Sequence, residues 1–407
     1  MDIDIRAIEP NEFEAFIKVD QNAFGEHPEQ ESTDLWRGIT ELDRSLAAFD
    51  GDAIVGTTLI DTMSVTVPGG DLPMAGVTAV GVLPTHRRRG ILTALMRRQL
   101  SDVRDRGEPL AGLWASEGSI YGRFGYGLAT LGGRMEAERD RVVFVNQADD
   151  DRGSLRLVSK DEALAVIPSL YEHARRQWPG MPSRSADMWR VAYADLERWR
   201  EGASALFFAL HETSGTVDGF CSYRIKSEWN ESLPAGEVSI RLLIAETPAA
   251  YEALWRFVFG IDLIKKVEAW DRPADEPLLH MITEPRRLRF ALTDALFIRV
   301  VDVPTALGGR TYDIEDSIIL EVRDAFCPWN EGTYELQGGP DGAECRPSSA
   351  EPQIRVDATA LGAAYLGGTT FRQLASAGRV EAEHPSAIAL ASRMFASDAA
   401  PWCAVGF

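Results

Sequence analysis

The period of apolar and polar positions changes several times along the first third of the chain, and each change predicts an element. Met1 to Ile5 alternates acidic with aliphatic residues, the period of a strand. From about Asn11 to Phe24 the period becomes helical, with Phe13, Phe16 and Ile17 on the apolar side, and an aromatic segment follows around Trp36. Ser45 to Phe49 and Ala53 to Met63 flank an Asp50-Gly51 dipeptide whose glycine accepts the positive φ of a tight turn, so this stretch reads as a hairpin. A further strand is predicted from Met74 to Val82, closing at Pro84. A helical pattern then runs from Gly90 to about Arg104 with Leu92, Leu95, Met96 and Leu100 inward, and Leu110 to Trp114 is a short apolar strand. Hairpin, strand, basic turn, helix and parallel strand in that order make an α/β plan.

The plan recurs downstream in weaker form. Leu206 to Leu210, a turn through Asp218-Gly219, and Phe220 to Ile225 echo the first hairpin, and Val238 to Tyr251 can be laid on Val77 to Gly90 without a gap. In that superposition Arg87, Arg88 and Arg89 become Pro248, Ala249 and Ala250, and Gly90 becomes Tyr251, so the second copy has lost its chemistry. From about Pro285 the texture turns to β-rich alternation over Phe297 to Val303, Ser317 to Val322, Gly332 to Gln337 and Gln353 to Val356, with a helical stretch near Thr359 to Leu366. The polar segment Gly338 to Pro352 reads as a hairpin loop. Three domains are expected, over residues 1–150, 151–290 and 291–407, the first two α/β and the third α+β; 407 residues exceed one ordinary core.

Composition narrows the chemistry. Hydrophobic residues at 45% and charged residues at 26% are ordinary for a soluble globular protein, and no apolar run reaches the roughly 18 residues of a membrane helix, so no membrane is expected. The acidic N-terminus lacks the order of a signal peptide, and a cytoplasmic enzyme is the simplest expectation. Cys221, Cys327, Cys345 and Cys403 lie far apart, without a C-x-x-C pair or a histidine at zinc-ligand spacing, which predicts free thiols and no metal. A formal net charge of -20 disfavours nucleic acid and suits a cationic small molecule, although excess acid also serves solubility.

The segment from Val77 to Thr93, VTAVGVLPTHRRRGILT, places a glycine and three arginines where a strand turns into a helix. Unpaired N–H groups at a helix start, with the positive end of its dipole, form an anion site suited to a pyrophosphate. Gly90 lets the backbone approach closely and the arginines add charge-assisted bonds. Arg87-x-x-Gly90-x-Leu92 resembles the R/Q-x-x-G-x-G/A loop of GNAT acetyltransferases, with Leu92 in place of the final small residue. The resemblance implies that acetyl-CoA lies between the strand ending at Val82 and the strand ending at Trp114. The backbone of Val80, Gly81 and Val82 then aligns the thioester, and Arg88, Arg89, Gly90, Ile91, Leu92 and Thr93 hold the pyrophosphate. Arg87, Ser116 and Glu117 are assigned to the same cofactor. A second signature, ASEGSIYGRFGY from Ala115 to Tyr126, resembles the GNAT Y-x-x-x-G-F/Y element. Amine attack on a thioester expels a thiolate of reference pKa near 8.5, and a phenol near 10 can protonate it, which makes Tyr121 the candidate general acid.

The duplicated unit, its degenerate second copy, the β-rich third domain and the A-S-E-G-x-I-Y-G-R-F-G-Y-G segment are together similar to the Eis (enhanced intracellular survival) family of N-acetyltransferases over the whole chain. That resemblance implies tandem GNAT folds, the second degenerate, followed by a sterol-carrier-like α+β domain. It further implies hexamers and an aminoglycoside, polyamine or lysine-like acceptor. In that family the C-terminal carboxylate returns to the first domain as general base, and the matching position is Phe407. An α-carboxylate has a reference pKa of roughly 3.5, too low for that work unless burial raises it. The run Ala400 to Phe407 is apolar enough to predict a buried end. Phe24, Glu26 and Trp36 fall in the segment that lines the acceptor side of GNAT folds, and aromatic walls with an acid suit a cationic amine. Trp114 stands where the family commonly has histidine, which points to a different set of acceptors. Two alternatives differ from this reading: a catalytically silent acyl-CoA or lipid-binding protein, and a protein or peptide N-acetyltransferase.

Overall fold

Strand pairing, rather than chain order, decides where the elements sit. The computed structural model describes residues 3–146 and 153–407. The chain divides into two units, Met1–Thr130 with Ala295–Pro401 and Gly406–Phe407, and Leu131–Asp294 with Trp402–Val405. Met1 and Asp2 of the expected first strand lie outside the described residues, as does the expected boundary at residues 150 and 151. No helix among the described residues is long and apolar enough to cross a membrane.

The first unit opens with β1 (Ile3–Ala7), α1 (Phe13–Ala23), α2 (Gln30–Arg37), β2 (Ser45–Asp50), β3 (Ala53–Val67), β4 (Gly70–Val82), α3 (Ile91–Asp105) and β5 (Leu110–Trp114). The five strands lie in sequence order, and the sheet continues from β5 with Leu296–Val300 and then Gly127–Leu128. Only β4 and β5 run parallel. Phe13, Phe16 and Ile17 of α1 pack against Ala47, Phe49 and Leu59 on one face. Met96, Leu100 and Val103 of α3 pack against Ala75, Val77 and Ala111 on the other, each such side chain contributing on the order of 1.5–3 kcal/mol. Leu92, expected inward, is only half-buried at the rim of this core.

The remaining chain of this unit builds a five-stranded sheet in the order Gly342–Pro347, Gly332–Gly339, Asp316–Arg323, Ile354–Asp357, Val380–Ala382. Its helix Ala358–Ala364 lies against the first sheet at two glycines. A Cβ on Gly127 would stand 2.0 Å from the Thr359 carbonyl oxygen, and one on Gly362 would stand 2.2 Å from that of Ile298.

The second unit holds a sheet ordered Ala291–Asp294, Leu131–Glu138, Ile264–Arg272, Gly236–Ala245, Thr216–Lys226, Phe207–Thr213, Ser154–Val158. Helix Pro248–Gly260 covers one face through Leu254, Trp255 and Val258. Ile167, Leu170 and Tyr171 of helix Lys160–Ala174 cover the other, joined by Trp402.

Strand pairing crosses the expected domain bounds: Leu131–Glu138, expected in the first domain, pairs in the second sheet, and Leu296–Val300, expected in the third, closes the first. Local texture carries no information about which distant edge a strand will meet. The second hairpin turns at Ser214-Gly215, both at positive φ, whereas Asp218 and Gly219 lie within the strand beside a bulge. There Asp218 accepts hydrogen bonds from Thr213 and pairs with buried His211. Gly338 to Pro352 is not all loop, because Gly342–Pro347 is a paired strand. Finally, the ungapped superposition of Val238–Tyr251 on Val77–Gly90 fails at the helix start. α3 begins after Gly90 whereas the second helix begins after Thr247, so Pro248, Ala249 and Ala250 are its first turn and no basic loop precedes it.

Candidate active site

The chemistry of β4 follows from what its two edges lack. On one side it pairs with β3, but Thr57 opposes Gly81 while Leu59 opposes Thr78, leaving an extra residue in β4. Ala79 takes φ 50° at this bulge, and its carbonyl accepts a hydrogen bond from Thr57 Oγ1 at 2.9 Å. A non-glycine residue at positive φ costs on the order of 1–3 kcal/mol, strain that surrounding structure must hold in place. On the other side β4 pairs with β5 only over Met74–Gly76. From Val77 to Val82 that edge has no strand partner, so the two parallel strands open into a cleft whose wall is a row of backbone donors and acceptors.

The loop from β4 delivers the chain to α3 with two further positive φ values, 63° at Arg88 and 81° at Gly90. Gly90 is the N-cap, and no side chain caps the helix. The first N–H groups of α3 therefore face outward without a partner, with exposed Arg88 and Arg89 beside them. Arg87 is engaged within the chain: its Nη2 donates to the Ala23 carbonyl at 3.0 Å and its Nε to that of Val82 at 3.3 Å. It braces the end of α1 against the end of β4.

Tyr121 begins the short 3-10 helix Tyr121–Phe124 and is 5% exposed. Its ring belongs to the same core as Val80 and Leu92, which brings it together with the β4 edge and the α3 start. Burial pushes its phenol up to about 12, so it holds its proton throughout the neutral range. The glycines around it have steric work. Gly125 has φ 85°, and a Cβ there would lie 2.7 Å from the guanidinium carbon of Arg299. Thr359 Oγ1 donates to the Gly122 carbonyl at 2.9 Å, so the sterol-carrier-like region braces this turn. Ser116 and Glu117 are exposed in the preceding loop.

The opposite face of the sheet carries a different set. Strand alternation puts Gly76, Gly81, Gly112 and Trp114 on the face covered by α1. Phe407 rests at the root of the cleft, its Cδ2 3.1 Å from where a Gly76 Cβ would be. Trp114 ends β5 with its Nε1 buried and unpartnered. Phe24 and Trp36, at 52% and 39% exposure, and the exposed Glu26 follow α1 and lie on α2. One residue on this face escaped the sequence reading. Asp20 sits in the last turn of α1, with Oδ1 buried and without a hydrogen-bond partner, 3.7 Å from the position a Gly81 Cβ would take. Burial, with some repulsion from Glu26, pushes its carboxyl up to about 6. Its four-residue spacing from Phe24 was a signal available in the sequence.

The second unit shows how such a cleft is lost. Gly236–Ala245 and Ile264–Arg272 pair only from Gly236–Ile240 and then part, as β4 and β5 do. The opening is filled by Arg272, whose Nη1 donates to the Leu243 carbonyl at 2.9 Å, Nη2 to the Tyr251 hydroxyl at 3.0 Å and Nε to Glu276 at 2.9 Å. Thr247 caps the following helix by accepting from Ala250 N, and Pro248 removes another N–H. This helix start therefore lacks the bare row of N–H groups that α3 presents.

Comparisons with known proteins agree with this division of labour. Residues 4–129 and 180–300 each match a model of an acetyltransferase (GNAT) domain, and residues 303–404 match a sterol carrier protein domain. An N-acetyltransferase of Streptomyces avermitilis is 43% identical over the full length of both chains. N-acetyltransferase Eis of Mycobacterium tuberculosis is 35% identical over 90% of each chain. The crystal structure of Eis1 from Mycobacterium abscessus superposes with a TM-score of 0.87 at 35% identity, covering 99% of this chain and 100% of that one. With one open GNAT cleft, one filled GNAT cleft and a sterol-carrier-like region bracing the first, the chain belongs to the Eis-type N-acetyltransferases.

Proposed function

We propose that the enzyme transfers the acetyl group of acetyl-CoA to an amine of a cationic multi-amine acceptor of the aminoglycoside, polyamine or lysine type. The observation that carries this reading is the cleft between β4 and β5, with an uncapped helix start at its mouth, Tyr121 on one face and Phe407 on the other. Acetyl-CoA supplies a thioester and two anionic phosphates in series. The N–H groups at the start of α3, with Arg88 and Arg89, suit the pyrophosphate, and the unpaired edge of β4 around Val80, Gly81 and Val82 suits the amides of the extended arm. The amine nitrogen attacks the thioester carbon, a C–N bond forms and the C–S bond breaks. Tyr121 gives its proton to the departing sulfur. A thiolate of reference pKa near 8.5 is a weaker base than this phenolate, so the proton moves as the C–S bond breaks and amide formation draws the step forward. Phe407, through its α-carboxylate, takes the proton that the acceptor's ammonium loses before attack, and the second proton, left on the nitrogen once the C–N bond has formed, returns to the Tyr121 oxygen, so that one proton is released overall.

The test is release of CoA thiol from acetyl-CoA with a panel of kanamycin, spermidine and a lysine peptide. Removal of Phe407 is expected to lower turnover by roughly 10–100-fold at unchanged acetyl-CoA affinity. Saturable acetyl-CoA binding without thiol release from any amine would favour an acyl carrier instead. Gly90→Ala offers a milder check of the anion site. No atom lies within 4 Å of the new Cβ, so its cost is the φ of 81°, about 1 kcal/mol, and KM for acetyl-CoA should rise about fivefold with kcat unchanged.

A further inference from the structure

Resting on the reading above, we infer that Asp20 is a specificity residue for that acceptor, an anionic contact at the floor of the α1 face that holds one of its ammonium groups. Four observations meet at this carboxylate. Its Oδ1 is buried without a hydrogen-bond partner, a loss of solvation that nothing on its own helix or on β4 offsets. It lies over Gly81, two residues beyond the bulge at Ala79, where the absence of a side chain leaves Asp20 Oδ1 and Thr57 Oγ1 as the nearest polar atoms. It stands in the last turn of α1, where the helix dipole is negative and a second negative charge is unfavourable. Exposed Phe24 lies one helical turn further on, so the approach to the carboxylate is flanked by an aromatic edge that a cation can also use.

The charged neighbours do not satisfy Asp20. Glu26 repels it, and Arg87, which reaches the end of α1, is engaged by the carbonyls of Ala23 and Val82. Fold stability gives no reason to retain an acid here. An ammonium from the acceptor would supply both the missing hydrogen bond and the missing charge. The Phe407 ring lies on the same face five residues back along β4, at Gly76, so Asp20 and the C-terminal residue stand at the two ends of the open stretch of the strand. This arrangement favours an acceptor with more than one amine, one held at Asp20 while another reacts.

Because the Asp20 carboxyl titrates at about 6, the contact is present above that pH and lost below it. The experiment compares wild type, Asp20→Asn and Asp20→Glu with whichever of kanamycin, spermidine and the lysine peptide the wild type acetylates. At pH 7.5 Asp20→Asn should raise acceptor KM roughly tenfold, with kcat within about threefold and KM for acetyl-CoA unchanged. At pH 5.5, where roughly a quarter of Asp20 still carries charge, the gap between the two KM values should narrow to about threefold, and Asp20→Glu should restore the pH dependence. The melting temperature of Asp20→Asn at pH 7.5 should not fall, since an unpaired buried charge is removed. An equal acceptor KM in wild type and Asp20→Asn at pH 7.5, or a difference that persists unchanged at pH 5.5, overturns the inference while leaving the acetyltransferase reading intact. Wild type that acetylates none of the three amines overturns the reading itself.

Discussion

Tyr121→Phe is expected to lower kcat by about 10²–10³-fold while KM for acetyl-CoA stays within a factor of about 3. The substitution removes one oxygen and keeps the ring, so the packing of residue 121 with Val80, Phe124 and the edge-on ring of Tyr126 at 6.0 Å is retained. What disappears is the only proton that this buried side chain can give to the leaving sulfur. The pH dependence separates this role from a packing role. With the phenol pushed up to about 12, wild type should show no descending limb from phenol ionisation below about pH 10.5. A free tyrosine would begin to lose its proton about two units earlier. Initial rates of thiol release between pH 6.5 and 10.5 provide the measurement, and an unchanged kcat in the variant would remove Tyr121 from the mechanism.

Asp324→Ala should cause the largest loss of stability of any single substitution considered, about 3–5 kcal/mol. Arg299 is wholly buried, and its Nη2 donates to Asp324 Oδ2 at 2.5 Å. The same carboxylate accepts from Asn330 Nδ2 at 3.2 Å and from the Cys327 backbone N–H at 2.9 Å. Truncating Asp324 leaves a guanidinium in the interior without its counter-charge and releases two further donors. Because that guanidinium packs directly on Gly125, four residues after Tyr121, activity should fall before the transition begins. Guanidinium chloride unfolding of wild type and variant gives the energy; a shift below about 1 kcal/mol would show that Arg299 finds other partners.

These two residues mark the limit of what the sequence could disclose. Tyr121 could be proposed from the sequence because the features that suggest a role for it are local: glycines that permit the turn, and a basic loop about thirty residues earlier that needs only its neighbours to form an anion site. The strands and helices around that loop were equally legible from period, since β4, α3 and β5 each bury one face against adjacent elements. Asp324 was silent because its meaning depends on Arg299, which reaches it only after the strand Leu296–Val300 has paired with β5. Arg87 reads as a phosphate ligand by proximity to Arg88 and Arg89, and its bond to the end of α1 depends on a contact the sequence does not show. The bulge at Ala79 was hidden for a related reason: alanine and valine fit regular strand, and the extra residue arises from register with β3. Asp20 stood in a helical pattern as an ordinary polar position until the approach of Gly81 showed that water and partners were both excluded from Oδ1.

The pairing of β5 with Leu296–Val300 also sets a schedule for the nascent chain. When β5 leaves the ribosome its outer edge, Leu-Ala-Gly-Leu-Trp, has no partner until translation has passed through the second sheet, a wait on the order of ten to forty seconds at ordinary elongation rates. During that interval an apolar strand edge is open to other chains. A ribosome that stops before residue 296 therefore releases a product whose catalytic sheet cannot close. The strand that completes the first sheet is thus made only after the whole of Leu131–Asp294 has emerged.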